Sequence, residues 1–278
     1  MAVVVVTDSA SRLPDAQCEA WGIRVVPLHI LVDGVDLREG VDEVPDDILE
    51  HGRATTAGAT PVELTAAYQQ AIDDSGGDGV VAVHLSAALS GTVGAAEEAA
   101  RQLSPAVQVV DSKSVAMGAG FVALAAARAA ASGRDLESVA AQARSAVRHS
   151  YSYIVVHQLD NLRRSGRIGT AASWLGTALA IKPLLRIDED GKLILAQRVR
   201  TASKARTAML DRIAEIAGDR SAAVAVHHVA SPKVADEVVA GLAERLPACE
   251  PAIVTDLGPV LALHVGAGAV AVCLDVSG

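Results

Sequence analysis

The sequence predicts an α/β protein of two domains. The N-terminal domain is expected to be α/β/α on a mainly parallel sheet, and the C-terminal domain α/β on a mixed sheet. Three observations predict this. Short apolar strands alternate with longer Ala-rich helical segments, the pattern that packs helices over parallel strands. A turn signal, Asp188-Glu189-Asp190-Gly191, sits between two apolar runs and calls for an antiparallel hairpin. The length, 278 residues with 51% hydrophobic and 21% charged, suits a globular chain of two modest domains.

Val3–Thr7 reads as a buried strand because its β-branched run is unbroken. Arg24–Val32 reads as a second strand, and Val80–His84 and Val107–Val110 as the next two. Helices are expected at Pro61–Asp73, Thr92–Leu103 and Val115–Ala131. Gly133-Arg134-Asp135 interrupts that pattern, and another helix follows to His149. The second set opens with a strand at Tyr151–His157. Strands at Leu184–Ile187 and Leu193–Val199 flank the hairpin turn. A helix at Ser203–Ile216, a strand at Ala222–His228 and a helix at Pro232–Arg245 come next. Strands at Ala252–Thr255 and Ala269–Leu274 end the chain. The domain boundary falls near residue 150, giving 1–150 and 151–278. No linker or low-complexity segment separates them, so they should pack directly.

Composition excludes several functions. Aromatic residues make up 2%, with one Phe, two Trp and three Tyr, too few for platforms that stack single-stranded bases. The net charge of −9 opposes a duplex-binding surface, and Arg163-Arg164-x-x-Arg167 is too short to overturn it. No nucleic-acid partner is expected. Cys18, Cys249 and Cys273 form no Cys-x-x-Cys pair and are read as reduced, buried thiols of a cytosolic protein. The N-terminus lacks a basic n-region and reads as a strand, not a signal peptide. The uncharged stretch Leu257–Leu274 contains Gly258, Pro259, His264, Gly266 and Gly268, which divide it into a short helix, a loop and a strand.

Several motifs fail on context. Gly118-x-Gly120-x-x-Ala123 and Gly266-x-Gly268-x-x-Ala271 match a loose dinucleotide pattern. The first lies too far from its strand, and the second too near the end for a βαβ unit. No phosphate-binding Gly-x4-Gly-Lys-Ser/Thr loop exists. His227 and His228 are adjacent on a strand and face opposite sides, and no metal-ligand spacing appears. No cofactor and no metal are expected. Ser90 follows a strand but lacks the Gly-x-Ser-x-Gly elbow of a hydrolase nucleophile.

Other motifs add up. Ser90 reads as an N-cap, leaving the amides of Gly91, Thr92 and Val93 at a helix end with no acidic residue before Glu97. This fits either a plain cap or an anion site. Thr55-Thr56-Ala57-Gly58-Ala59-Thr60-Pro61 reads as a loop entering a helix, with Thr60 as cap and Pro61 at the first helical position. His264-Val265-Gly266-Ala267-Gly268 puts one imidazole in apolar surroundings.

In order, the chain carries Thr7-Asp8-Ser9, Thr56-x-x-x-Thr60-Pro61, Leu89-Ser90-Gly91-Thr92 and Asp111-Ser112-Lys113-Ser114. Leu159-Asp160-Asn161-Leu162-Arg163-Arg164-Ser165-Gly166-Arg167-Ile168, Lys182-Pro183-Leu184-Leu185, Val199-Arg200-Thr201 and Gly258-Pro259-Val260 with His264-x-Gly-x-Gly268 follow. Together these resemble the DegV family over nearly the whole chain. The resemblance implies two α/β domains with a fatty acid between them, and a carrier role beside a separate ATP-dependent fatty acid kinase that makes acyl phosphate. The carrier itself would not be an enzyme. The carboxylate ligands would be Thr56, Ser90 and His264, with amides from Gly91 and Thr92. Arg200 would contact the kinase subunit. Transient membrane contact is compatible with that role. The family's loop Thr-Ser-Gln-Pro-Ser stands here as Thr56-Ala57-Gly58-Ala59-Thr60, losing one hydroxyl, and Ala267 replaces a proline. Ile30, Ile168, Trp174, Leu175, Leu179 and Leu263 are candidates for the acyl-channel wall. A Ser90–His264 esterase and a carrier of another lipid, without a kinase, are the alternatives.

Overall fold

The computed structural model describes residues 2–50, 52–168 and 182–277. In chain order the elements are β1 (Val4–Asp8), a 3₁₀ turn (Ser9–Ser11), α1 (Asp15–Trp21), β2 (Arg24–Val26), β3 (His29–Val32), β4 (Val35–Arg38), β5 (Thr55–Ala57), α2 (Pro61–Ser75), β6 (Val80–His84), α3 (Thr92–Gln102), β7 (Val107–Asp111), α4 (Met117–Ala131) and α5 (Leu136–Val147). Then come β8 (Ser150–Val155), α6 (Asp160–Arg164), β9 (Lys182–Ile187), β10 (Leu193–Val199), α7 (Ala202–Ala217), β11 (Ala223–His228), α8 (Pro232–Arg245), β12 (Ile253–Asp256), α9 (Gly258–Val265) and β13 (Val270–Asp275).

The described strands form three sheets. One is all parallel, in the order β2-β1-β6-β7. The second is mixed, β10-β9-β8-β13-β11-β12; β11 and β12 pair in parallel and its other described pairs are antiparallel. The third, β4-β3-β5, is small and antiparallel and is absent from the sequence reading. Pro27 is the reason the expected strand Arg24–Val32 divides. Proline offers no ladder donor, and the N–H of Leu28 turns instead to Ser9 Oγ at 3.0 Å. β2 therefore stays in the parallel sheet while β3 starts the small one.

Helix starts follow the capping chemistry. Thr60 and Glu63 form a reciprocal capping box, with Pro61 next to the cap. Asp135 caps α5 and Thr201 caps α7.

Helix α4 lies between the two large sheets, against β1 and β6 on one side and β8 and β13 on the other. Being covered on both sides, it is apolar nearly all round. A Cβ on Gly118 would fall 2.1 Å from Ser114 Oγ and 2.5 Å from Ser152 Oγ, so only glycine lets the mixed sheet approach there. The Gly-x-Gly pattern thus serves packing. A second core lies on the far face of the mixed sheet, where α7 and α8 cover it.

The mixed sheet docks over the carboxyl ends of the parallel strands. Ser86, beyond β6, donates to Gly191 O in the β9–β10 turn at 2.8 Å. Lys113, beyond β7, donates to Glu189 O at 3.0 Å. The N–H of Met117 donates to His227 Nε2 at 3.2 Å. Ligand sites of open α/β sheets occur at this end of the strands.

Candidate functional site

An apolar cavity occupies the junction. It is lined by Ile154, Ala271 and Cys273 of the mixed sheet, by Val260 and Leu261 of α9 and Leu257 just before it, and by Leu28, Leu85 and Leu89. Its volume is about 110 Å³. Ile154 and Ala271 are register partners, as are Ser152 and Cys273, so these side chains share one sheet face.

The polar groups gather at one end. Thr56 Oγ1 and His264 Nε2 share a hydrogen bond of 2.8 Å. Thr56 comes from β5, on the sheet face it shares with its partner Ile30, and His264 from the last turn of α9. Ser90 Oγ lines the same cavity, bonds Thr92 Oγ1 at 2.9 Å and accepts from the Thr92 N–H at 3.3 Å. Gly58 sits against them: a Cβ there would lie 2.6 Å from Thr92 Oγ1 and 3.5 Å from Ser90 Oγ.

Arg167 also lines the cavity. Its Nε donates to Leu89 O at 3.2 Å and its Nη1 to Ser165 O at 2.5 Å, which fixes the guanidinium at the polar end. Burial, helped by the Arg167 charge, pushes the His264 imidazole down to about 4, so it is neutral at pH 7. Its Nδ1 is buried and finds no hydrogen-bond partner among the described residues.

A second, polar cavity of about 290 Å³ adjoins the first and shares Thr56, Arg167 and His264 with it. Asn161, Arg164, Ser165 and Leu263 line it. Arg164 Nη2 donates to Asn161 Oδ1 at 2.6 Å. Three shared residues therefore separate an apolar chamber from a cationic mouth.

The structure thus brings Thr56, Ser90 and His264 to one place. Gly91 and Thr92 stand behind Ser90 and line neither cavity. Gly91, not Ser90, is the N-cap of α3, which corrects the expected cap; Ser90 lies one residue earlier. The expected loop around Thr56 is in fact strand β5. Ile30 is fully buried in the core and lines neither cavity, and the buried Ile168 lines neither. Leu263 faces the mouth and not the apolar chamber. Trp174, Leu175 and Leu179 lie outside the described residues. Arg200 is exposed between β10 and α7, away from both cavities. Cys273 is buried and Cys18 and Cys249 only partly so, which corrects the reading of three buried thiols. Arg167 was visible in the sequence only as part of a short basic cluster. Its side chain enters the site because Gly166, with φ +73°, turns the chain after α6.

Chemically the polar end is a set of donors around an opening. Two hydroxyls, a neutral imidazole and a guanidinium can hold an anion without leaving a buried charge unpaired. They do not form a nucleophile pair, since Ser90 bonds Thr92 and His264 bonds Thr56.

Known proteins resemble this chain along its whole length. A family model described as "Uncharacterised protein, DegV family" matches residues 2–276. A DegV domain-containing protein of Mycobacterium tuberculosis is 66% identical over 277 residues, covering 99% of this chain and 98% of the relative. A DegV family protein from Thermus thermophilus, whose structure was described for its fatty acid binding, superposes with a TM-score of 0.89 at 32% identity, covering 99% of this chain and 100% of the other. DegV of Bacillus subtilis, described as a fatty acid binding protein, gives a TM-score of 0.89 at 26% identity with 100% of both chains covered.

Proposed function

The chain belongs to the DegV family, and from that premise we propose that it carries a long-chain fatty acid and presents its carboxylate to a separate ATP-dependent fatty acid kinase. The observation that carries the reading is the hydrogen-bonded pair Thr56–His264 where the apolar cavity meets the cationic mouth. The acyl chain takes the apolar side. Some 15 buried methylenes are worth about 12 kcal/mol of gross transfer energy, before ordering costs. The polar end therefore sets orientation more than affinity.

In this reading Thr56, Ser90 and His264 bond the carboxylate directly. Gly91 and Thr92 act behind Ser90, through the shape of the α3 N-terminus. Arg167 and Arg164 face the mouth, where a phosphoryl group would be added, and supply positive charge for it. Arg200 is assigned to the kinase contact. Residues 1–150 supply most head-group ligands, and 151–278 supply the lid, much of the channel and His264. The protein itself catalyses nothing, and acyl phosphate formation belongs to the partner. We place it in the cytoplasm, with transient membrane contact during lipid exchange. Among the described residues no helix is long and apolar enough to cross a membrane.

Native mass spectrometry and lipid extraction of protein purified from cells test the proposal. A long-chain fatty acid is expected. Apo protein alone, even after incubation with palmitate and oleate, overturns it, and a different extracted lipid turns the reading to a carrier without a kinase. Arg200→Ala should keep lipid binding and weaken coupling to the kinase.

A further inference from the structure

Two of the sequence motifs, Thr7-Asp8-Ser9 and Gly258-Pro259-Val260, supply none of the residues assigned to the fatty-acid head group. They meet at Glu39, just past the end of β4. Glu39 is 3% exposed. Its Oε2 accepts from Ser9 Oγ at 2.6 Å, and its Oε1 accepts from the Val260 N–H at 3.0 Å. Its own N–H donates to Leu28 O at 2.8 Å, while Leu28 N–H donates to Ser9 Oγ at 3.0 Å. Arg12 completes the cluster, donating from Nε to Asp256 O at 3.0 Å.

Val260 lies in the first turn of α9, where backbone N–H groups have no acceptor inside the helix and a carboxylate is favoured. Gly258 opens that turn at φ +73°. A Cβ there would lie 2.6 Å from Arg12 Nη1 and 2.7 Å from Glu39 Oε1, so glycine is what admits the helix start to the carboxylate. Val260 and His264 are four residues apart, one turn along the same helix face. Arg38, immediately before Glu39, pairs with His29, and Thr56 pairs with Ile30 on the other edge of β3. The small sheet therefore holds α9 at two points, Glu39 on Val260 and Thr56 on His264.

We propose that Glu39 is a positioning residue for head-group recognition: with Ser9 and Arg12 it clamps the N-terminus of α9 to the three-stranded sheet and so sets His264 against Thr56. Its effect on lipid binding rests on the fatty-acid reading; the clamp itself does not. Without Glu39 the Val260 N–H and the Ser9 hydroxyl lose their acceptor, and α9 is free to shift relative to Thr56.

The test is nitrogen-15 NMR titration of the His264 ring in lipid-free protein, paired with competition between palmitate and hexadecanol. In Glu39→Ala the ring should bind its proton roughly tenfold more tightly than in the wild type, as the Thr56 contact loosens and water enters. Palmitate preference over hexadecanol should fall by about tenfold. Leu242→Ala, which truncates the core under α8, should lower stability and move neither readout. Ser9→Ala should move both in the same direction by less, and it decides the matter if Glu39→Ala does not fold. An unchanged His264 titration in the folded variant overturns the clamp. If the titration moves but wild-type protein binds no palmitate, the clamp stands and the fatty-acid reading falls.

Discussion

Thr56 and His264 lie 208 residues apart in sequence, yet Thr56 Oγ1 and His264 Nε2 share a 2.8 Å hydrogen bond at the head of the cavity. The contact ties β5 to α9, with both partners facing the opening, while burial and the Arg167 charge keep the imidazole neutral. Thr56→Val keeps the shape and removes the hydroxyl. It should cost about 1 kcal/mol of stability, and about 1–3 kcal/mol if the His264 nitrogen is left unpaired. Palmitate affinity should fall with it. Urea unfolding and a lipid-binding titration of the same preparations check both.

Gly58 supplies a steric prediction. Its φ is ordinary, so alanine is conformationally allowed, but the added Cβ would lie 2.6 Å from Thr92 Oγ1. Thr92 is fully buried and bonded to Ser90, so its side chain has little room to yield. Gly58→Ala should destabilise by about 1–3 kcal/mol and displace Ser90. Gly94→Ala, on the exposed side of α3 with no atom within 4 Å of its Cβ, should be neutral or stabilising by up to about 1 kcal/mol. Thermal unfolding of the two variants makes the comparison.

A buried histidine, His227, and a half-buried one, His264, set a dependence of stability on pH. His227 accepts from the Met117 N–H through Nε2 and bonds Thr255 Oγ1 at 2.8 Å through Nδ1. Burial, with the Arg12 charge adding to it, pushes His227 down to about 3, as burial and Arg167 push His264 to about 4. In the unfolded chain both titrate near ~6.5, so below that pH the unfolded state binds more protons. Their contribution is complete above pH ~6.5 and is lost as pH falls toward the folded values, on the order of 2 kcal/mol each by pH 5. Glu39 and Asp275, raised chiefly by burial, act in the opposite sense above their unfolded values. His227→Gln keeps one acceptor and one donor, and its stability should fall less steeply than that of the wild type from pH 6.5 to 4.5. Equal slopes in urea unfolding at a series of pH values contradict the assignment.

Arg167 offers a test within the site. Arg167→Met preserves length and removes the charge that helps hold the His264 proton off. The His264 ring should then titrate at a higher pH. NMR of the ring in lipid-free protein reads this directly.

Elements with one strong local signal were legible in the sequence. Val80–His84, Leu193–Val199 and Pro232–Arg245 stand where periodicity and turn chemistry place them. The elements absent from that reading are short. Helix α1 has seven residues, none of them buried, and α6 has five, so neither has a long apolar stripe. Strands β4 and β5 are four and three residues with mostly exposed or half-buried side chains. Pro27 breaks a run that otherwise reads as one strand. At the site, Thr56, Ser90 and His264 came from family motifs and not from their local chemistry. Gly58 owes its role to a neighbour 34 positions on in α3, and Glu39 to a helix start far along the chain, and local pattern carries no such information. Ile30 is apolar and adjacent to Thr56 in register, but its side chain turns into the core.

The central claim is a fatty-acid carboxylate held between Thr56, Ser90 and His264. NMR of palmitate carrying carbon-13 in its carboxyl group tests it most directly. One protein-bound carboxyl signal is expected, distinct from free palmitate, that shifts in Thr56→Val, Ser90→Ala and His264→Ala and stays in place in Arg200→Ala. No bound signal, or a bound signal that none of the three substitutions moves, would contradict it.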